Sequence, residues 1–168
     1  MKVTEFYREI NRIIGDATPI GVDCGQLCEG ACCKGDDETG MYLFPGEAQM
    51  YRGDYGWFEI MESDFSYMND GKSVCADLFV CKRACSRRKR PLACRIFPLL
   101  PYVSTEGELS VILDPRGRGV CPLCVMDTEH LDTDFCERVE KLGKIMMKFE
   151  PTREYLFALS RLADEFKI

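Results

Sequence analysis

The stretch GVDCGQLCEGACCKGDDETG at residues 21–40 is dominated by glycine, cysteine and acidic residues. It cannot hold a conformation through apolar burial, so something else must fix it. Metal ligation is the obvious fixture, because ligand binding energy then becomes folding energy. Seven more cysteines follow, at 75, 81, 85, 94, 121, 124 and 136, making eleven in 168 residues. In a secreted chain they would read as disulfides. The odd count and the start MKVTEFYREI, which lacks the apolar core of a signal peptide, argue against that. A reducing, cytoplasmic setting is expected, where clustered thiols serve as ligands or redox groups.

The formal net charge of −6 excludes a general nucleic-acid or membrane-surface binder. No apolar run approaches the length of a membrane span. The length suits a single domain over residues 1–168. A cysteine-bearing core is expected over 22–124 and C-terminal helices over 130–168.

Val3, Phe6, Tyr7, Ile10, Ile13 and Ile14 recur at helical spacing and predict a first helix ending near Gly15. Pro45-Gly46-Glu47-Ala48 opens a short helix running to about Tyr51, whereas residues 54–70 show no legible period. Leu99–Ser104 and Glu108–Asp114 predict two short strands, with Thr105-Glu106-Gly107 as their hairpin turn. Phe135, Val139, Leu142, Met146 and Phe149 form one helical stripe, which Pro151 ends. Tyr155, Leu159, Leu162 and Phe166 form another, with Asp132 and Thr152 as N-caps. The expected class is α+β: terminal helices around an irregular cysteine-ligated centre with a small hairpin. Loss of the metal is expected to unfold much of the middle of the chain.

Cys24, Cys28, Cys32 and Cys33 follow the spacing C-x3-C-x3-C-C, which lets one loop present several sulfurs. Adjacent side chains diverge in most backbone conformations. Cys32 and Cys33 therefore serve one centre only with distortion, serve two neighbouring centres, or divide into one ligand and one packed thiol. Cys75, Cys81, Cys85 and Cys94 follow, then Cys121 and Cys124. A zinc ion or a four-iron cluster takes four thiolates, so this supply permits two centres, or one with spare thiols. The basic run Lys82, Arg83, Arg87, Arg88, Lys89, Arg90 and Arg95 lies among them. Guanidinium groups beside thiolates offset their charge and donate to sulfur, and Arg90 and Arg95 are candidates for that role. A phosphate or RNA contact is the alternative reading. His130, the one histidine, reads as a surface residue. No P-loop, dinucleotide fingerprint, HExxH or nucleophile elbow is present, so no catalytic residue is assigned.

The Cys24–Cys33 cluster followed by RPLACRIFP resembles the YkgJ-type cysteine-cluster proteins, a family described as zinc- or iron-chelating. The resemblance covers about residues 22 to 124. It implies a metal set of Cys24, Cys28, Cys32, Cys33, Cys75, Cys85, Cys94 and Cys121, with Cys81, Cys124 and Cys136 as extras. The gaps in the first cluster are slightly longer than the common form, and Ser86-Arg87-Arg88 replaces the usual aromatic pair. Flagellin lysine N-methylases carry a similar arrangement associated with an iron–sulfur cluster. The resemblance thus favours a [4Fe–4S] cluster over Zn2+. The roles to weigh are an electron-transfer module with a protein redox partner, an accessory to a methyl-transfer or radical enzyme, or a structural zinc protein that binds a partner or RNA.

Cys28→Ser or Cys94→Ser is expected to lower metal content and melting temperature together. Unchanged metal stoichiometry in both variants, measured by elemental analysis, would remove the ligand assignment.

Overall fold

The computed structural model describes residues 2–34, 38–53, 56–82 and 85–167. The fold is α+β. Helix α1, Val3–Ile14, buries Phe6, Tyr7, Ile10 and Ile14 along one face. Four apolar side chains at that spacing give a helix something to pack, which propensity alone does not. A single turn, α2, follows at Gly25–Cys28, then the short strand β1, Met41–Tyr42.

Strands β2, Phe58–Asn69, and β3, Lys72–Cys81, form a long antiparallel hairpin, and β1 pairs with the other edge of β3. Asp70 and Gly71 close the hairpin, both at positive φ, 50° and 73°. This is the Asp-Gly signature of a tight two-residue turn, matched to the twist of the strands. The apolar pattern of residues 58–69 conceals the strand. Its register shifts between Glu62 and Ser66, and an irregularity there breaks the period of two. Trp57 packs with Tyr51, Phe58 and Phe79 at the open end of this hairpin. The middle of the chain therefore has apolar packing of its own.

Helix α3, Leu92–Ile96, leads into the second hairpin, β4, Leu99–Val103, and β5, Leu109–Leu113. This is the hairpin the turn chemistry predicts. Helices α4, Thr133–Met146, and α5, Glu150–Asp164, complete the fold. Asp132 caps α4 by accepting from Phe135 N at 3.0 Å. Thr152 is not the cap of α5. It lies inside the first turn and its hydroxyl donates to Met146 O at 2.7 Å. Pro151 starts this helix rather than stopping its predecessor, because the fixed φ of proline suits a first turn whose N–H groups lack partners anyway.

Helix α5 packs against both β2 and β4, and α4 against α1 and the β4–β5 sheet. Tyr155 of α5 is ringed by Phe44, Phe65 and Tyr67 at centroid distances of 5.0, 5.5 and 5.2 Å. Gly143 lets α4 approach the sheet. A Cβ there would stand 3.2 Å from both Leu109 and Pro101. No helix among the described residues is long and apolar enough to cross a membrane.

Residues 47–51 form a 3-10 turn that begins with a buried carboxylate, Glu47, 2% exposed. Its oxygens accept from Phe44 N at 3.1 Å and from Leu92 N at 2.6 Å. The second bond ties the turn to the start of α3. Burial raises the Glu47 pKa from 4.5 to about 7, outweighing the two N–H donors and Arg95, which act to lower it. The folded protein therefore binds more protons than the unfolded chain between those values. The contribution of Glu47 is fully present below the unfolded value and is lost as pH rises towards 7. The loss is on the order of 3 kcal/mol. Glu47→Gln is expected to flatten this fall. Urea unfolding of both proteins between pH 4.5 and 7.5 measures it, and identical profiles would refute it.

Candidate metal centre

Cys24 precedes α2 and Cys28 ends it. Glu29 and Gly30 then both take left-handed backbone conformations, at φ 52° and 70°. This pair reverses the chain into a 3-10 turn at Ala31–Cys33, closed by Cys33 N donating to Gly30 O at 2.8 Å. The turn settles how the adjacent cysteines are disposed: the Sγ atoms of Cys32 and Cys33 lie 4.0 Å apart. Tetrahedral ligation at ordinary Zn–S lengths puts sulfurs about 3.8 Å apart. The pair can thus form one edge of a shared centre, because a 3-10 turn does not alternate its side chains as an extended chain does.

No residue from 21 to 34 is buried, and Val22 and Leu27 stand 56% and 58% exposed. Apolar packing does not hold this coil.

The second group of thiols comes from three directions. Cys81 ends β3, opposite Phe58. Cys85 precedes a 3-10 turn at Arg87–Lys89. Cys94 lies on α3, whose start is fixed by Glu47. Burial raises the Cys94 thiol well above its ordinary range, and the nearby Cys33, Cys85 and Glu47 raise it further. Burial also raises Cys85, with Cys81 and Cys33 adding to the effect, while a hydrogen bond from Arg90 opposes it. Cys33 is held down to about 6, first by its hydrogen bond with Cys32 and then, against the burial that raises it, by the Arg90 charge. Cys33, Cys85 and Cys94 therefore lie about one guanidinium, that of Arg90, and Cys81 lies near Cys85.

Cys121 lies near Cys24 of the first coil, and Cys124 lies near Cys121. Buried Asp114, paired with half-buried Arg116 at 2.5 Å, fixes the turn at Pro115–Gly117. Cys121 N then donates to Gly117 O at 2.8 Å. Gly117 has no room for a side chain, since a Cβ would stand 2.6 Å from Cys124 Sγ and 2.7 Å from the Phe97 ring. Cys24, half-buried, is raised by partial desolvation, and next affected by Arg87, which lowers it, and by Cys121 and Cys28, which raise it. Cys124 is pushed up to about 12 by burial and then by Cys121.

Of the eight cysteines that the family resemblance implies, seven are neighbours in this way. Cys75 is not among them. It is exposed on β3, paired with Ser66, six residues from Cys81. At about 3.3 Å per residue the two lie roughly 20 Å apart along the strand. Cys81 stands where the resemblance put Cys75. The signal for it was available: Cys81 and Cys85 repeat the four-residue spacing of Cys24, Cys28 and Cys32. Cys136 is on α4 and is not one of the gathered thiols. His130 is exposed in a 3-10 turn at Thr128–His130. Among the described residues, no three Cys, His, Asp or Glu side chains close into a ligand shell for a single ion.

The basic run divides by task. Arg90 bonds to Cys85. Arg87 donates to the carbonyls of Ala17 at 2.7 Å and Arg95 at 3.2 Å, beside Cys24. Arg88 pairs with Asp16 at 3.1 Å and Lys82 with Glu59 at 2.9 Å. Arg83 lies outside the described residues. Arg95, expected beside the thiols, is turned onto α1. It donates to Asn11 Oδ1 at 2.5 Å and to the carbonyls of Asn11 and Gly15 at 3.3 and 2.6 Å. A cation suits the unpaired carbonyls and negative dipole end of a helix C-terminus.

Comparison with known proteins finds no matching family model, no matching curated protein and no matching solved structure.

Cys81→Ser is expected to lower metal content, and Cys75→Ser to leave it unchanged. Equal loss in the two variants, by elemental analysis of anaerobically prepared protein, would contradict the placement of these thiols.

Proposed function

We propose that the protein is a cytoplasmic metal-binding protein whose gathered thiols hold an iron–sulfur cluster, with [4Fe–4S] favoured. The observation that supports this reading is the gathering of Cys33, Cys85 and Cys94 about Arg90, with Cys81 near Cys85. Four thiolates are the usual ligand number for such a cluster, and a nearby guanidinium is a suitable donor to cysteine sulfur. The resemblance to YkgJ-type proteins points the same way.

When bound, such a cluster supplies one-electron redox chemistry, which favours an electron-transfer role with a protein partner. The chain's own contribution is electrostatic. Arg90 and Arg87 favour the thiolate form, while desolvation of half-buried Cys24 and of Cys94 and Cys124 favours the protonated free thiols. Metal binding therefore releases protons and weakens as pH falls. The coil at 21–34, which has no buried residue, gains its order from ligation, while the β2–β3 sheet and the C-terminal helices also pack through apolar side chains.

Zinc is the second reading, favoured by the 4.0 Å separation of Cys32 and Cys33. Anaerobic purification followed by iron, zinc and acid-labile sulfide analysis and a visible absorption spectrum distinguishes the two. The expected result is a brown protein with about four iron and four sulfide per chain, bleached by dithionite. A colourless protein with stoichiometric zinc supports the second reading, and neither metal above trace would overturn both.

A further inference from the structure

The β4–β5 sheet has only two strands, so each strand has one edge without a strand partner. At its two ends, Asp114 N donates to Pro98 O at 2.8 Å and Ser104 N to Glu108 O at 2.9 Å. Between them the Cα partners run from Leu99↔Leu113 to Val103↔Leu109. In an antiparallel ladder, residues alternate between facing their partner and facing away. Leu100 and Tyr102 therefore bond to Ile112 and Ser110. The backbone groups of Leu99, Pro101 and Val103 point out from β4, and those of Leu109, Val111 and Leu113 point out from β5.

The two outer edges are treated differently. On β4, Val103 N donates to Ser160 Oγ at 2.9 Å and Val103 O accepts from Arg161 at 2.6 Å. Pro101 has no N–H to satisfy, and proline belongs on such an edge. Helix α5 thus closes that side. On β5, the outward groups of Leu109, Val111 and Leu113 have no protein partner among the described residues. They open instead into a groove that runs the length of the strand in two adjoining parts of about 520 and 540 Å3, which share Val111, Thr128 and Glu129.

The far wall of this groove is acidic. Asp127, Glu129, Glu137 and Glu140 line it, and no lysine, arginine or histidine does. Glu140 is paired with Lys144 at 2.5 Å. Glu129 and Glu137 are exposed and form no ion pair among the described residues. A bare strand edge is an invitation to another chain. A second copy of this protein is a poor guest, because β5-to-β5 pairing would bring these carboxylates against their own counterparts in a chain of net charge −6.

We propose that the open edge of β5 docks an extended segment of a basic partner protein, which adds as a third strand to the β4–β5 sheet. The guest's backbone bonds to Leu109, Val111 and Leu113, as in other strand-addition complexes. Its lysine or arginine side chains meet Glu129, Glu137 and Glu140. This site stands on the sheet edge and the groove, independently of any metal.

The probe is the peptide acetyl-Lys-Val-Lys-Thr-Lys-Val-Lys-amide, with a control of the same sequence methylated on alternate backbone nitrogens. Binding to the protein as purified is followed by NMR titration and amide exchange. The expected result is saturable binding that slows exchange of the Leu109, Val111 and Leu113 amides at least tenfold. The methylated control should bind at least tenfold more weakly. Val111→Pro removes the central outward N–H opposite Pro101 and should also weaken binding at least tenfold. The double reversal Glu129→Lys with Glu137→Lys, at exposed positions, makes the same test without touching the backbone. No binding at millimolar peptide, equal binding of the control, equal binding to the double-reversal protein, or protection elsewhere would overturn the proposal. So would a dimer in sedimentation whose interface protects the same three amides, since that assigns the edge to a second copy.

Discussion

Two charged side chains fix a helix too short to hold itself. Helix α3 has five residues, far fewer than a stable isolated helix needs. Glu47 accepts from its first N–H, and Arg95 leaves it to clasp the carbonyls at the end of α1. Leu92 and Ile96, both buried, anchor it to the core between these contacts. Cys94 is carried by this helix, and the approach of Arg90 and Cys85 follows from where it begins. The RPLACRIFP block is therefore a positioning device: its apolar residues and Arg95 hold, its thiol and Arg90 face the other cysteines.

The thiols occupy two physical environments. Cys81, Cys94, Cys121 and Cys124 are carried by elements that pack by ordinary burial. Those at 24, 28, 32 and 33 sit on a coil with no buried residue. A loop of that kind pays conformational entropy without an apolar return. Its backbone reversals at Glu29 and Gly30 and its Asp23-capped turn, with Gly25 N at 3.1 Å from Asp23 Oδ1, give local shape. They add little long-range attachment. Thiol ligation would join this coil to the packed elements, so loop and centre are coupled by the same bonds.

The β4–β5 sheet organises a different part of the molecule. Helix α5 closes one edge of it and leaves the other to a groove with an acidic wall. The cysteine-bearing coil and the groove draw on different elements, and the 3-10 turn at Pro122–Val125 connects them in sequence. On the proposals made above, a thiol centre and an open strand edge would lie within one small fold.

The sequence by itself determined what depends on neighbours in the chain. The stripe from Phe6 to Ile14, the hairpin around Gly107, the Asp132 cap and the four-residue spacing of the first cysteines all act over a turn or two, and all are found where the residues put them. An α+β fold follows from those pieces. Tertiary structure decided what depends on distant partners. A register shift in β2 hid a long hairpin, and the length of β3 placed Cys81 rather than Cys75 beside Cys85. Arg95 was drawn from the thiols to α1 because the negative dipole end of a helix and its terminal carbonyls are a strong local demand for a cation. A 3-10 turn set Cys32 and Cys33 on one side, a choice that residue types alone leave open because backbone conformation, not side-chain chemistry, fixes the direction of Cβ.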